Sequence, residues 1–188
     1  MTEFVSYDSR VQVRREVVEA FIHGVPSGTS NLAGKILSDH GIDGSGSEDW
    51  FPLPAYLSAM SDIGERFGPT LLHMIGAKIA FNAVLPENMG SLGQFLPMLD
   101  ETYQMNHRGG VIGSYRFSNG MQLGDYTGGS LVCYNPYPCA FDRGVIEGFA
   151  RRMTDEKADV LVRHDDDKPC RAKGGSSCTY VIHWNEGH

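Results

Sequence analysis

The sequence predicts an α+β fold, with helices in the first half and a mainly antiparallel sheet in the second. Up to about residue 105, apolar residues recur at the three- and four-residue spacing of helices that bury one face. After Gly109-Gly110 the spacing changes to the alternation of strands. Glycine makes up 23 of the 188 residues, against a usual level of about 7%, which predicts many tight turns. We expect one domain over 1–188, with a helical part over 1–108 and a sheet part over 109–188.

Prolines and glycines delimit the helices of the first half. Five helices are predicted, over 13–22, 30–40, 52–67, 69–84 and 91–105. Gly68 ends the third helix and Pro69 begins the fourth, in which Gly76 suits close helix packing. Pro97 falls inside the fifth helix, so we expect a kink or a delayed start there.

The second half is predicted to alternate strands with one helix. The predicted elements are strands over 111–117, 130–134, 159–164 and 178–184 and a helix over 139–153. Ser118-Asn119-Gly120 is interpreted as a hairpin turn, with a returning strand from Met121.

Composition excludes several classes of protein. The formal net charge is −7 and no stripe of basic residues is present, which argues against a nucleic-acid surface. No apolar stretch approaches the roughly 18 residues of a membrane span, and the N-terminus lacks the pattern of a secretion signal. The P-loop, the dinucleotide-binding glycine motif and the nucleophile-elbow motif are also absent. We therefore expect a cytoplasmic protein and assign no catalytic residue.

All four cysteines lie in the last third of the chain. Clustered cysteines in a chain without a secretion signal indicate metal or redox chemistry sooner than disulfides. Three of them, with one histidine, form a candidate zinc site: Cys139, His164, Cys170 and Cys178. A helix start, a strand end and a glycine-containing loop would deliver three sulfurs and one imidazole, which suits tetrahedral zinc. Unpaired core thiols and a redox pair are the alternatives, and Cys133 is interpreted as a packing residue.

The same region carries a family resemblance. A helix that contains Cys139, Gly144 and Gly148 is followed by a strand and then by the pattern PCRxxGGxxCxYxI over 169–182. Over about 111–184 the chain resembles the 4-vinyl reductase domain family, which includes hydrocarbon-binding proteins and the sensor domains of phenol-responsive transcription activators. The resemblance implies a fold similar to that of TRAPP vesicle-tethering subunits.

The resemblance also implies a zinc site with three cysteines and a glutamate three positions before the middle cysteine. That position holds Asp167 here, in an acidic turn, while His164 offers an imidazole at the strand end. We predict His164 as the fourth ligand, with Asp167 in reserve.

A ligand cavity between helices and sheet is a further implication of the resemblance. The candidate lining residues are mostly aromatic: His73, Tyr103, His107, Tyr115, Phe117, Tyr126 and Tyr134, with Tyr137 in the same cluster. Apolar walls with a few hydroxyl groups suit a small aromatic or lipid-like ligand. Core packing is the alternative for the aromatic residues and for His73. For His107, the alternative is a favourable interaction with the dipole at a helix end.

We expect a sensor-type domain that binds a small apolar or aromatic ligand and contains a structural zinc ion. The main alternative is an enzyme or accessory protein of tetrapyrrole metabolism, with a vinyl reductase-like activity or a bound haem. A dimeric scaffold is the second alternative. The expected partners are a small ligand, a second copy of the chain in a homodimer and a separate signalling protein.

Overall fold

The helices of the first half begin and end close to the predicted positions. The computed structural model describes residues 3–43, 46–87 and 90–185. Its helices are α1 (Arg15–His23), α2 (Ser30–Asp39), α3 (Leu53–Phe67), α4 (Pro69–Asn82), α5 (Leu92–Phe95), α6 (Leu99–Met105) and α7 (Cys139–Met153). Pro97, where a kink or a delayed start was expected, lies in a 3-10 turn, Leu96–Met98, that separates α5 from α6. Gly68 ends α3 with a positive φ of 79°, which an L side chain rarely adopts.

Two antiparallel sheets complete the described part of the fold. The strands are β1 (Gln12–Arg14), β2 (Trp50–Pro52), β3 (His107–Arg108), β4 (Ser114–Leu123), β5 (Tyr126–Tyr134), β6 (Val160–His164) and β7 (Cys178–Trp184). The larger sheet has the order β4-β5-β7-β6, which confirms the α+β prediction. The smaller sheet, in the order β2-β1-β3, was not predicted. Its strands have only two or three residues, too few to show the alternation of a strand.

The predicted hairpin turn at Ser118-Asn119-Gly120 is wrong. Strand β4 continues through these residues, and the turn to β5 lies at Gly124-Asp125. The pairing register shifts between Asn119 and Met121, and Gly120, with a φ of 122°, supplies the extra residue. The glycine that suggested a turn therefore forms an irregularity within the hairpin.

Helices α4 and α7 cross at backbone contact. A Cβ atom on Gly144 would clash with the carbonyl oxygen of His73, and one on Gly148 with that of Ala77. From the other side, a Cβ atom on Gly76 would clash with the carbonyl oxygen of Phe141. These glycines let the two helices pack closely and thereby fix the start of α7 against the helical half.

The hydrophobic core is continuous between the two halves. Buried side chains of α1, α3 and α4 belong to the same cluster as those of β5, α7 and β7. None of the helices in the described residues combines the length and the apolar character that a membrane span requires.

Candidate metal centre and ligand cavity

Strand pairing brings the four predicted metal ligands together. Cys178 begins β7, and Tyr180 two residues later pairs with His164 at the end of β6. Cys139 begins α7, and the Tyr180 hydroxyl donates a hydrogen bond to its carbonyl oxygen at 2.6 Å. Cys170 precedes the 3-10 turn Arg171–Lys173, which leads back towards β7. Four distant segments of the chain thus converge on one point.

The ligand atoms have the spacing of a coordination shell. One donor atom from each of Cys139, His164, Cys170 and Cys178 lies within 4.8 Å of all the others. The Cys139 sulfur lies 3.1 Å from that of Cys178 and 3.5 Å from that of Cys170, and the remaining sulfur pair is 3.9 Å apart. Zinc–sulfur bonds of about 2.3 Å in a tetrahedral site place sulfurs about 3.8 Å apart. A disulfide would require a sulfur–sulfur distance of about 2.05 Å, so all four cysteines are free thiols.

His164 lies in the cluster with one ring nitrogen unengaged. Its Nδ1 lies 3.0 Å from an oxygen of Asp166, and its ring meets that of Tyr180 edge-on. Its Nε2 is buried without a hydrogen-bond partner among the described residues. Buried polar atoms nearly always have a partner, and this nitrogen is therefore available to bind a metal ion. Asp167, the reserve ligand, is exposed and is not part of the cluster.

The surroundings of the cluster shift the pKa values of two of its cysteines in opposite directions. The hydrogen bond from Cys139 lowers the pKa of Cys178, and the nearby charge of Arg171 lowers it further. The same sulfur–sulfur contact, with burial, raises the pKa of Cys139. One thiolate is therefore stabilised at Cys178, and the Arg171 backbone N–H contacts its sulfur at 3.4 Å.

Arg171 connects the candidate metal site to the rest of the core. Its guanidinium forms a fully buried ion pair with Asp142 and donates to the backbone oxygens of Cys133 and Asn135 at 2.9 and 2.8 Å. Asn135 donates to both oxygens of Asp142. Asp142 also accepts a 2.6 Å hydrogen bond from the hydroxyl of Tyr115. This network extends from the residue that follows Cys170 to Tyr115, on the wall of a second feature, a small cavity.

The cavity lies between α1, α4, α6 and α7 and has a volume of about 40 Å³. Its walls include three of the predicted residues, Tyr103, His107 and Tyr115, and also Tyr137 and Phe141. Burial raises the pKa of each of the three tyrosines, so they stay protonated at neutral pH.

His107 is one of the polar groups on the wall of this cavity. Its Nδ1 lies 2.8 Å from the carbonyl oxygen of Tyr103 and its Nε2 lies 2.6 Å from the hydroxyl of Tyr137. Burial lowers the pKa of His107 to about 4, so the ring is neutral at physiological pH.

The other predicted pocket residues lie away from this cavity. His73 lies in an open groove with Cys139 and His164, and its Nε2 is 2.9 Å from an oxygen of Glu147. Tyr126 donates to Asp159 at 2.7 Å, while Tyr134 packs against Tyr7 with ring centroids 5.1 Å apart. Phe117 is partly buried against the core.

Sequence reasoning did not identify the buried ion pair. Asp142 follows Cys139 by three residues, on a helix whose other inward residues are apolar. Its partner, Arg171, lies in the loop between Cys170 and Cys178. No pattern in the sequence indicates that these two residues, 29 positions apart, meet inside the core.

The fold is that of H-NOX proteins. The chain superimposes on a triple mutant of an H-NOX protein from S. oneidensis in the Fe(II) state with a TM-score of 0.66, at 13% identity over 93% of this chain and 97% of the other. A mutant H-NOX from T. tengcongensis gives a TM-score of 0.59 at 15% identity, over 93% and 98%. A protein in which the haem redox potential is modulated through porphyrin distortion gives 0.58 at 14% identity, over 92% and 99%. No family model and no curated protein matches the sequence.

The resemblance to the 4-vinyl reductase domain family is therefore wrong. No family model supports it, and the similar solved structures are H-NOX proteins. The cysteine and glycine pattern that suggested it, over 169–182, covers part of the loop between β6 and β7 and the first five residues of β7, a local feature that does not define the fold. Likeness to TRAPP subunits rested on the same resemblance and is not supported.

Proposed function

We propose that the chain is a sensor-type domain in which a structural zinc ion fixes the start of α7 to the sheet, beside a cavity for a small molecule. The zinc ligands in this proposal are Cys139, His164, Cys170 and Cys178. The convergence of their four donor atoms within 4.8 Å carries the proposal. The unpartnered Nε2 of His164 supports it independently.

Zinc would have a structural role at this point. Four protein ligands leave no coordination position for a reacting water, unlike the three-ligand sites of zinc hydrolases. The ion would join the first residue of α7, the end of β6 and the start of β7. Because α7 also forms part of the cavity wall through Phe141, the metal would hold one side of the ligand site in place.

Native mass spectrometry of the purified chain tests the metal, any ligand that copurifies, and the number of subunits in one measurement. We expect about one zinc per chain. His164→Ala should reduce zinc retention during dialysis against a chelator, whereas the exposed Asp167→Ala should match the parent protein. A fully folded, reduced protein that lacks metal and gains no thermal stability from added zinc would refute the zinc assignment.

The ligand of the cavity is the second part of the proposal. The fold likeness favours the haem-binding alternative over the ligands of phenol-responsive sensors, because the similar structures are H-NOX proteins and one of them concerns haem. His107 has the nitrogen chemistry of an axial ligand. The space does not fit, however: pockets for drug-sized ligands have about 300–1,000 Å³, and this cavity has about 40 Å³ with the rings of five tyrosines and phenylalanines around it.

We therefore propose a ligand smaller than haem. Titration of the purified chain with haem should give no stoichiometric complex with a shifted Soret band. A tight one-to-one haem complex that is lost in His107→Ala would contradict this assignment and establish the haem alternative. The same native mass spectra would test the proposed homodimer, and recovery of a monomer at micromolar concentration would refute it.

A further inference from the structure

The outer face of the larger sheet, on the side away from the core, carries positive charge and no negative charge. The four strands of this sheet contain no aspartate or glutamate, although the chain has 23 such residues. Arg116 on β4 and Arg163 on β6 are both exposed, and neither forms an ion pair with any described residue. Two acids in the turns at the ends of the sheet, Asp159 and Asp166, lie within 3.0 Å of partners on its strands. The face is therefore positive on a chain whose formal net charge is −7.

Strand register places apolar side chains between the two arginines. Val132 on β5 pairs with Arg116, and Val181 on β7 pairs with Arg163. Directly paired residues point to the same face of a sheet, and β5 and β7 are adjacent, so the two valines are diagonal neighbours on this face. Both valines are half-buried, and Leu161, two residues before Arg163, is 54% exposed. The face thus has an apolar centre with one cation at each edge of the sheet.

The spacing of the two arginines sets the size of the partner that fits. Three strand spacings of about 4.8 Å, with an offset of two residues of about 3.4 Å each, separate their Cα atoms by roughly 16 Å. At a rise of about 1.5 Å per residue, an α-helix covers this distance in about 11 residues. Residues about 11 apart also lie on the same side of a helix, because they are separated by about three turns. A helix with two carboxylates at this spacing and apolar residues between them is complementary to the face.

We propose that the outer face of the larger sheet docks an acidic amphipathic helix of a separate protein. Two carboxylates of this helix pair with Arg116 and Arg163, and its apolar residues cover Val132, Val181 and Leu161. The inference goes beyond the proposed function, because it assigns to a sensor-type domain the surface that meets its partner. It depends neither on the ligand of the cavity nor on the presence of zinc.

The docking face lies on the reverse side of the strands that hold the candidate metal site. Arg163 immediately precedes His164, and Val181 immediately follows Tyr180, which pairs with His164 across the sheet. Successive residues of a strand point to opposite faces, so the metal ligand and the docking residues share the backbone of β6 and β7. A shift of these strands at the candidate metal site therefore also moves Arg163 on the outer face.

Two synthetic helical peptides of about 18 residues test the proposal. Both present leucines on one side, flanked at about 11 residues' separation by two glutamates in one peptide and by two lysines in the other. The parent protein should bind the glutamate peptide about tenfold more tightly, because the lysines meet Arg116 and Arg163 with like charge. Fluorescence anisotropy measures both affinities, and the preference should decrease as salt is added. Equal affinity for the two peptides, or binding of neither at millimolar concentration, would overturn the proposal.

Charge reversal on the protein assigns the binding to this face. The double variant Arg116→Glu with Arg163→Glu should prefer the lysine peptide, and because both side chains are exposed, circular dichroism should show that it remains folded. Arg151→Glu is the control: Arg151 is exposed on α7, outside the larger sheet, so this variant should keep the preference of the parent protein. A double variant that still prefers the glutamate peptide would contradict the proposal.

The same samples distinguish the other possible occupants of the face. A dimer in native mass spectra that dissociates in Arg163→Glu would assign the face to a second copy of the chain and overturn the proposal. Binding to phosphatidylserine vesicles without a preference between the peptides would overturn it in favour of a membrane surface. Zinc content, measured in parallel, shows separately whether the zinc assignment fails, since peptide binding does not require the metal.

Discussion

The candidate metal site and the cavity differ in how their buried polar atoms are paired. At the cluster, four donor atoms converge and His164 Nε2 has no partner among the described residues. At the cavity, both nitrogens of His107 are engaged, and the hydroxyls of Tyr103, Tyr115 and Tyr137 all have partners within the chain. The proposed metal site therefore has a buried nitrogen that is free to bind a metal ion, whereas the polar groups at the cavity already have partners among the described residues.

The largest effect is expected where the two regions meet, at the buried ion pair. Arg171→Ala leaves the Asp142 carboxylate buried without its cation, and such losses cost about 3–5 kcal/mol of unfolding free energy. Urea denaturation measures the change. Arg143→Ala is the control, since Arg143 pairs with Glu147 at the surface and is 52% exposed. It should cost less than about 1 kcal/mol.

If Arg171→Ala costs no more than Arg143→Ala, the network does not join the two regions energetically. The cluster and the cavity would then have to be treated as independent. If Arg171→Ala weakens metal retention but leaves the unfolding free energy unchanged, Arg171 supports the four metal ligands and not the cavity.

The neutral state of His107 predicts a dependence of stability on pH. The folded-state pKa is about 4, while an unfolded histidine titrates near about 6.5. Between these values the unfolded chain binds a proton that the folded chain does not, so stability falls as pH decreases from 6.5 to 4. The total loss amounts to about 3 kcal/mol, at no more than about 1.4 kcal/mol per pH unit.

The measurement is the difference in unfolding free energy between the parent protein and His107→Gln across that range. Because other groups titrate in both proteins, including the metal ligands, only the difference reports on His107. A difference that does not change with pH would show that the imidazole is solvated or already charged.

The two regions also differ in how well the sequence predicts them. The four cluster residues are of the types that bind metals and lie within 40 positions, so chemistry alone selects them, and strand register later places His164 beside Tyr180. Helix bounds such as Pro69 and the break at Pro97 follow from backbone chemistry that is local to the residue. These features required no knowledge of tertiary contacts.

The cavity was only partly predictable, because aromatic residues serve equally as core and as pocket. Tyr103, His107 and Tyr115 lie on its wall, whereas Phe117, Tyr126 and Tyr134 lie elsewhere. The choice between these positions depends on how α6, α7 and β4 pack, which no local pattern encodes. The short strands β1 to β3 depend on pairing with distant residues in the same way. The register shift at Gly120 depends on how β4 pairs with β5, which the sequence of β4 alone does not show.

A moderate effect is expected at the helix crossing that supports both regions. Gly144→Ala introduces a Cβ atom against the carbonyl oxygen of His73, and overpacking of this kind costs about 1–3 kcal/mol. Gly34→Ala on α2 is the matched control, because a Cβ atom there meets no neighbour within 4 Å. It should stabilise the protein by about 0.5–1 kcal/mol, since alanine favours a helix. Equal effects in thermal denaturation would show that α4 and α7 do not pack at backbone contact.

The smallest effect is expected from substitution of Cys133, which tests whether this thiol only packs in the core or also binds metal. Cys133 pairs directly with Cys178 across the sheet and is fully buried, yet it lies outside the group of four donor atoms. Burial raises its pKa well above the ordinary value, so it stays a neutral thiol. Cys133→Ala should therefore cost about 1 kcal/mol, as for other small losses of core volume, and should retain zinc in full. Cys170→Ala should lose zinc, as elemental analysis after dialysis would report. Loss of zinc from Cys133→Ala would show that Cys133, on β5, is a zinc ligand. Retention of zinc would support a set of ligands at the end of β6, at the starts of α7 and β7 and at Cys170.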